Sequence, residues 1–234
     1  MIDLHCHILP GIDDGARTWE DSIAMAKQAV ADGIQIIAAT PHLGDPSLSP
    51  ELICQLTKQL NQLLLEHHVP VRVIAGAEFP CHLDTALAAP YCLENTSCLM
   101  VEFPHNHFPP MADAFLRRLA VMGIRPCIVH PERNLDIQQE PHIMVRLRQE
   151  YGVMCQVTAG SLCGEWGMEA RLCANFLVRN RLCDLIASDS HSPEWRPPTL
   201  SKAVKIATKL ANHEVAQAMV HATPLAILQE GLGG

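Results

Sequence analysis

The sequence predicts a parallel α/β fold closed, or nearly closed, into a barrel, and three observations carry that reading. Short apolar, β-rich runs recur along the 234 residues with helical patterns between them. Residues able to do chemistry follow almost every run instead of gathering at one point of the chain, which favours a barrel over an open doubly wound sheet. No Gly-rich dinucleotide or phosphate loop follows any of the runs.

The first run, Ile2 to His5, leads to an amphipathic stretch from Trp19 to Ala31. Thr18 is its N-cap, Asp21 stands in the capping-box position and Gly33 lies just past its end. Ile34 to Thr40 is the second strand, followed by a helix over Glu51 to Glu66 and a third strand over Val71 to Ala75. Cys98 to Val101 reads as a strand buried on both faces, because it is almost continuously apolar. A helix from Met111 to Met122, a strand from Arg125 to Val129 and a helix from Gln138 to Glu150 come next. Met154 to Val157 repeats the apolar strand pattern; a helix over Gly167 to Arg181, a strand over Asp184 to Ala187 and a helix over Leu200 to Leu210 complete the alternation. No linker or repeat interrupts it, so residues 1–234 read as one domain.

Composition narrows the function. With 17 Lys+Arg against 25 Asp+Glu and no basic cluster, a nucleic-acid surface is not expected. No run approaches a membrane span and no signal sequence opens the chain, so the expectation is a soluble, unexported, cytoplasmic protein without membrane insertion. The 10 Cys include no C-x-x-C pair, and Cys6, Cys98, Cys127, Cys155 and Cys183 fall in or beside apolar runs, as reduced core thiols do.

The 13 His are the other oddity, and their placement points to chemistry. The first strand runs into His5-Cys6-His7, whose alternate imidazoles share one side of an extended segment. The later strands end in Pro41-His42, Ala77-Glu78, Val101-Glu102, Val129-His130 and Ser188-Asp189-Ser190-His191. Asp13-Asp14-Gly15 lies in the first loop. So many carboxylates and imidazoles on one barrel rim repel one another or lose solvation unless cations fill the centre. The mixed donor set suits Zn, Mn or Fe, and its size suits two or three ions, an arrangement that serves phosphate-ester chemistry.

These motifs, with His130-Pro131-Glu132-Arg133 and the opening stretch through Gly15, resemble the polymerase and histidinol phosphatase (PHP) superfamily. Within it they are similar to the manganese-dependent protein-tyrosine phosphatases of bacterial capsule and exopolysaccharide gene clusters. The resemblance implies a distorted seven-stranded (β/α) barrel of the PHP type, with the metal site at the C-terminal ends of the strands. It implies three divalent ions, manganese first and iron or zinc as alternatives. His5, His7, Glu78 and Asp189 would hold one; Glu78 would bridge to a second completed by Glu102 and His130; Asp14, His42 and His191 would hold the third. Arg133 and Arg196 match the positions expected to grip the substrate phosphate, where a guanidinium fork can bind two oxygens at once. The implied partner is a phosphotyrosine protein, such as a bacterial tyrosine kinase of polysaccharide synthesis. An oligomer is compatible, with the Trp19 to Ala31 helix and the C-terminal helices available as surfaces. The loop Leu43-Gly44-Asp45-Pro46-Ser47 departs from the polar, often basic stretch of many relatives.

The expected nucleophile is a hydroxide bridging two ions, with direct in-line attack on phosphorus and no phospho-enzyme. A cysteine-thiolate loop is not expected, on the view that no cysteine has the C-x5-R spacing. For the general acid, His42 and Asp13 are the candidates, Asp13 being equally readable as part of an Asp-Gly turn. His105 and His107, three and five positions past Glu102, read as loop polarity ahead of lining the rim, Trp166 and Trp19 as packing, and Trp195 as packing or a border of the site. Glu132 could orient a ligand or cap its loop, and Asp3 could be a buried partner of the site. A histidinol-phosphate-type small-molecule phosphatase is the alternative enzyme, and a catalytically silent metal-containing module the alternative of another class.

Overall fold

The computed structural model describes residues 1–44 and 48–230. Its elements alternate as expected: β1 (Ile2–Cys6), α1 (Trp19–Asp32), β2 (Ile36–Ala39), α2 (Pro50–Glu66), β3 (Arg72–Ala75), β4 (Glu78–Pro80), β5 (Cys98–Glu102), α3 (Ala112–Val121), β6 (Arg125–Val129), α4 (Leu135–Gln139), α5 (Ile143–Tyr151), β7 (Met154–Thr158), α6 (Ala159–Cys163), α7 (Gly167–Arg179), β8 (Leu185–Ala187), α8 (Ser201–Leu210), α9 (His213–Gln217) and α10 (Thr223–Glu230). All strand pairs are parallel, in two sheets ordered β1-β2-β3 and β4-β5-β6-β7-β8.

Two parallel bridges join the sheets, Cys6 to Ser190 on one side and His42 to Glu78 on the other. The ring therefore has seven strand positions, one of them shared by β3, which pairs with β2, and β4, which pairs with β5. The sequence pattern places a single strand there. It breaks at Gly76, where a Cβ would stand 2.7 Å from Leu93 Cδ2, so the chain steps inward against Leu93 before pairing resumes.

Period-two alternation sorts the core. Cys98 and Met100 of β5 and Cys127 and Val129 of β6 join Ile2, Leu4, Ala38, Ile74 and Leu185 in an inner cluster that also takes in Ile227 of α10. The intervening Leu99, Val101 and Ile128 belong to the larger layer packed with the helices. This inner packing leaves the polar residues at the carboxyl ends of the strands.

Local signals account for the helix ends. Thr18 Oγ1 accepts from Asp21 N at 3.2 Å, and Gly33 closes α1 at φ 90°. The reciprocal arm of the capping box is replaced: the Asp21 carboxylate accepts from Arg17 N, one residue before the cap. The helix expected over Gln138 to Glu150 is two helices, α4 and α5, because Pro141 supplies no N–H and Glu140 leaves helical geometry at φ −132°, ψ 72°. Asn134 caps α4 through Oδ1 to Ile137 N, while its amide nitrogen donates to Pro104 O and His107 O, tying the loop after β5 to the site.

Candidate metal centre

The predicted ligands sit at or just beyond the carboxyl ends of the strands, with Asp14 in the loop before α1. Two of them, His130 (φ 34°) and Asp189 (φ 52°), occupy the left-handed backbone region that side-chain-bearing residues rarely adopt. For Asp189 the turn is held from both sides, by Asp189 N donating to His5 O at 2.9 Å and His7 N donating to Ser190 O at 2.8 Å. Such strain recurs where geometry serves function.

Four donor atoms converge at the centre. His5 Nδ1 lies 2.8 Å from Gln156 Oε1 and His7 Nδ1 2.7 Å from Asp13 Oδ2, so each ring donates outward from Nδ1. The Nε2 lone pairs then face inward, 3.3 Å apart. Glu78 Oε2 is 3.4 Å from both, and Asp189 Oδ1 is 3.6 Å from His5 Nε2 and 3.4 Å from His7 Nε2. Glu78 Oε2 is buried and makes no hydrogen bond of good geometry, although His42 Nδ1 is 2.8 Å away. Electron pairs packed this closely away from water call for a cation. The residues therefore fit divalent metals.

Further clusters surround this one. His5, Glu78 and His130 offer ligand atoms within 4.8 Å of one another, as do Glu102, His105 and His130; His42, Glu78 and Glu102; and His7, Asp14, His42 and His191. Each of the nine predicted ligands falls in at least one cluster among the described residues. His105 is exposed, yet its ring stands 5.3 Å from that of His130, edge to face, so the rim reading matches its position. The only signal for it was its distance of three residues past Glu102. His107 is exposed as well, bonded to Asn106.

The charges interlock. Burial alone would raise the Glu78 carboxyl, but the neighbouring imidazoles of His5, His130 and His42, with His130 hydrogen-bonded to Oε1, hold it well below the usual range. Glu102 goes the other way, raised to about 7 by burial and the Glu78 charge. His191 is lowered to about 3 by burial and by His7. Burial would likewise raise Asp13, but its bond to His7 outweighs this, keeping the carboxyl below its usual range. Asp13 also accepts from Gly15 N and His42 N. Of the two readings open for Asp13, the turn-forming one matches its contacts, and as an ionised carboxylate turned onto His7 it is poorly placed to give up a proton.

The surroundings include residues the sequence reading left open. Gln156, which showed no signal beyond lying on a strand, fixes the His5 ring. Asp3 is fully buried and accepts from His5 N and Ser188 N, binding β1 to the end of β8; burial raises it to about 6. Glu132 accepts from Thr158 N and is raised by burial to about 7, so it ties its loop to β7 without touching a ligand histidine. Trp166 is a correction, since it lies beside both predicted phosphate-binding arginines and not in the core. Trp195 is almost fully exposed. Of the divergent loop after His42, Asp45, Pro46 and Ser47 lie outside the described residues.

Arg133 Nη1 and Arg196 Nη2 both reach Asp189 Oδ2, at 2.8 and 2.6 Å. Burial, together with the neighbouring Arg133 charge, lowers Arg196 against the pull of Asp189. A further correction concerns cysteine: Cys127 and Cys173 do stand six residues before an arginine, Arg133 and Arg179. Spacing therefore does not exclude a thiolate mechanism, but burial opposes one, raising Cys127 well above the normal range and Cys173 to about 12. Alkylation of the native protein is accordingly expected to label exposed Cys54 and leave catalysis within about twofold, and Cys127→Ala is expected to retain activity. Loss of turnover in Cys127→Ala with the metal still bound would reinstate the thiolate.

Comparison with known proteins agrees with this geometry. Residues 1–229 match the family model for capsular polysaccharide synthesis proteins CpsB/CapC. The tyrosine-protein phosphatase YwqE of Bacillus subtilis (strain 168) is 38% identical over 202 residues, covering 84% of this chain and 79% of its own. A crystal structure from a study of YwqE from Bacillus subtilis and CpsB from Streptococcus pneumoniae, described as unique metal-dependent tyrosine phosphatases, superposes with a TM-score of 0.90 at 32% identity, covering 97% of this chain and 94% of that one. A histidinol phosphate phosphatase from Lactococcus lactis shares the fold at a TM-score of 0.51 and 15% identity, over 91% of this chain and 94% of its own. With a match along nearly its whole length and the ligand set assembled at the strand ends, the chain belongs to the CpsB/CapC family of capsular polysaccharide synthesis proteins.

Proposed function

We propose that this protein is a metal-dependent protein-tyrosine phosphatase, with residues 1–234 acting as one catalytic domain. The observation that carries the reading is the convergence of His5 Nε2, His7 Nε2, Glu78 Oε2 and Asp189 Oδ1, with two arginines reaching the far oxygen of Asp189. On this reading the site would take three ions, manganese ahead of iron or zinc. His5, His7, Glu78 and Asp189 would hold the first, Glu78, Glu102 and His130 the second, and Asp14, His42 and His191 the third. Divalent cations in such a site supply charge stabilisation for the phosphoryl group and a deprotonated water near neutral pH.

The chain's own residues do the rest. Arg133 and Arg196 bind and orient the phosphate oxygens as paired forks. Gln156 and Asp13 fix the rings of His5 and His7 by holding their Nδ1 protons, which sets the tautomer with Nε2 free. His42, one third exposed at the rim, has Nδ1 2.8 Å from Glu78 Oε2 and Nε2 3.5 Å from Asp14 Oδ1, so it serves the third ion and not proton transfer. A tyrosyl leaving group, with a pKa near 10, asks little of a proton donor.

The substrate on this reading is a phosphotyrosine protein, a tyrosine kinase of polysaccharide synthesis being the candidate. A cytoplasmic location belongs to the proposal, supported by ten cysteines that form no disulfide. Among the described residues no helix is long and apolar enough to cross a membrane.

The test is to strip the purified protein with a chelator, reload it with Mn²⁺, and assay a phosphotyrosine peptide, a phosphoserine peptide and histidinol phosphate. Turnover of the phosphotyrosine peptide is expected to vanish on stripping and return on reloading. Preference for histidinol phosphate would replace the substrate assignment, turnover that survives stripping would sink the metal dependence, and no turnover of any of the three would sink the enzyme reading.

A further inference from the structure

Trp166 sits where neither a core residue nor a ligand is required. The helix α6 ends at Gly164 (φ 87°), whose N–H donates to Ser161 O while Glu165 N donates to Gly160 O; Gly167 (φ 90°) then opens the way into α7. Two left-handed glycines thus bracket the two-residue turn that presents the indole. Gly160 makes room for both side chains of that turn, since a Cβ there would lie 2.7 Å from Glu165 Oε2, 3.1 Å from Trp166 Nε1 and 3.4 Å from Cδ1. The indole is 37% exposed, so burial is not what this arrangement secures.

What the indole faces is guanidinium. The Arg133 Cζ lies 4.0 Å from the ring centroid and the Arg196 Cζ 4.9 Å, both within the range of cation–π attraction. The same two groups converge on a single oxygen, Asp189 Oδ2. Two like charges drawn to one atom repel each other, and a ring in contact with both offsets part of that repulsion. The indole also walls a cavity of about 430 Å³ with His105, Arg133, Leu135 and Gln138, which adjoins the metal clusters through His105.

We infer that Trp166 is a positioning residue, whose ring face holds Arg133 and Arg196 as a preset pair for the substrate phosphate. It touches no reacting atom; it acts through the two arginines, and a preset pair binds phosphate without first having to order two long side chains. The inference rests on the phosphatase reading for its biological meaning but not for its measurement.

The experiment measures binding of inorganic phosphate to the Mn²⁺-loaded protein by calorimetry, alongside steady-state kinetics on a phosphotyrosine peptide, for wild type, Trp166→Ala, Trp166→Phe and Gly160→Ala. In Trp166→Ala, phosphate affinity is expected to fall and KM to rise by about tenfold, with metal content and thermal unfolding unchanged. Trp166→Phe, which keeps a ring face, is expected to recover to within about threefold. Gly160→Ala, which crowds the indole without removing it, is expected to fall between the two. Phosphate affinity unchanged in Trp166→Ala overturns the inference, as does Trp166→Phe behaving like Trp166→Ala. A wild type that binds phosphate but hydrolyses no substrate overturns the phosphatase reading alone, because the binding comparison still reports on Trp166.

Discussion

Asp189→Asn is expected to lower phosphatase activity by about a thousandfold or more while leaving the fold intact. Asparagine is the best tolerated substitute at the left-handed φ of 52° that residue 189 adopts, so the turn survives. What disappears is the charge. Asp189 Oδ1 faces the two imidazole nitrogens and Oδ2 receives both arginines, so one substitution removes a metal ligand and the counter-charge of Arg133 and Arg196 together. Losing a single preorganised electrostatic contact at a reacting phosphate costs about 10²–10³ in rate, and here two go at once. The measurement is kcat/KM on a phosphotyrosine peptide together with metal stoichiometry. Activity within tenfold of wild type, with full metal content, would remove Asp189 from the centre. Glu140→Gln, in an exposed pair with His142, provides the contrast and is expected to change nothing measurable.

Gly15→Ala is the second large effect, and it acts on stability as well as activity. A Cβ at residue 15 would stand 2.2 Å from the carbonyl oxygen of His7 and 2.5 Å from His7 Cβ, with Asp13 Oδ1 at 2.9 Å. Backbone cannot yield as the end of a flexible side chain can. The loop therefore moves, carrying away Asp13, the residue that orients His7, and Asp14 with it. Overpacking of this kind costs about 3 kcal/mol at the upper end of its usual range, a fall in Tm of about 6–12 °C for a chain of this size. Metal affinity is expected to fall at least tenfold as well, the usual loss when a residue supporting a ligand is displaced. A Tm and metal affinity equal to wild type would show that the loop has slack these distances do not reveal.

The reach of the sequence follows from which interactions are local. Strand and helix positions were legible because apolar periodicity and caps such as Thr18 and Gly33 act within a few residues. The ligands were legible because in a parallel barrel every strand ends on the same face, so chemistry-bearing residues at strand ends meet whatever lies between them. His5, His42, Glu102 and Asp189 were identified on that ground, though far apart in the chain.

Contacts made across the fold were not legible. Gln156 meets His5 across 151 positions, and nothing about a glutamine on a strand announces that. Trp166 looked like a packing residue because its role depends on two arginines brought to it by other loops. The C-x5-R spacing at Cys127 is a local coincidence that only burial resolves: the strand carrying the thiol turns it into the apolar interior, and desolvation keeps it protonated. The close pass of the chain at Gly76 against Leu93, between β3 and β4, is likewise a contact between separate segments. By itself the sequence determined the alternation of elements, the candidate ligand set and the class of chemistry, all properties of residue type and short-range order. Tertiary structure alone decided which side chains lie against those candidates and against the arginine pair, because such contacts are fixed by packing between segments that the chain order keeps apart.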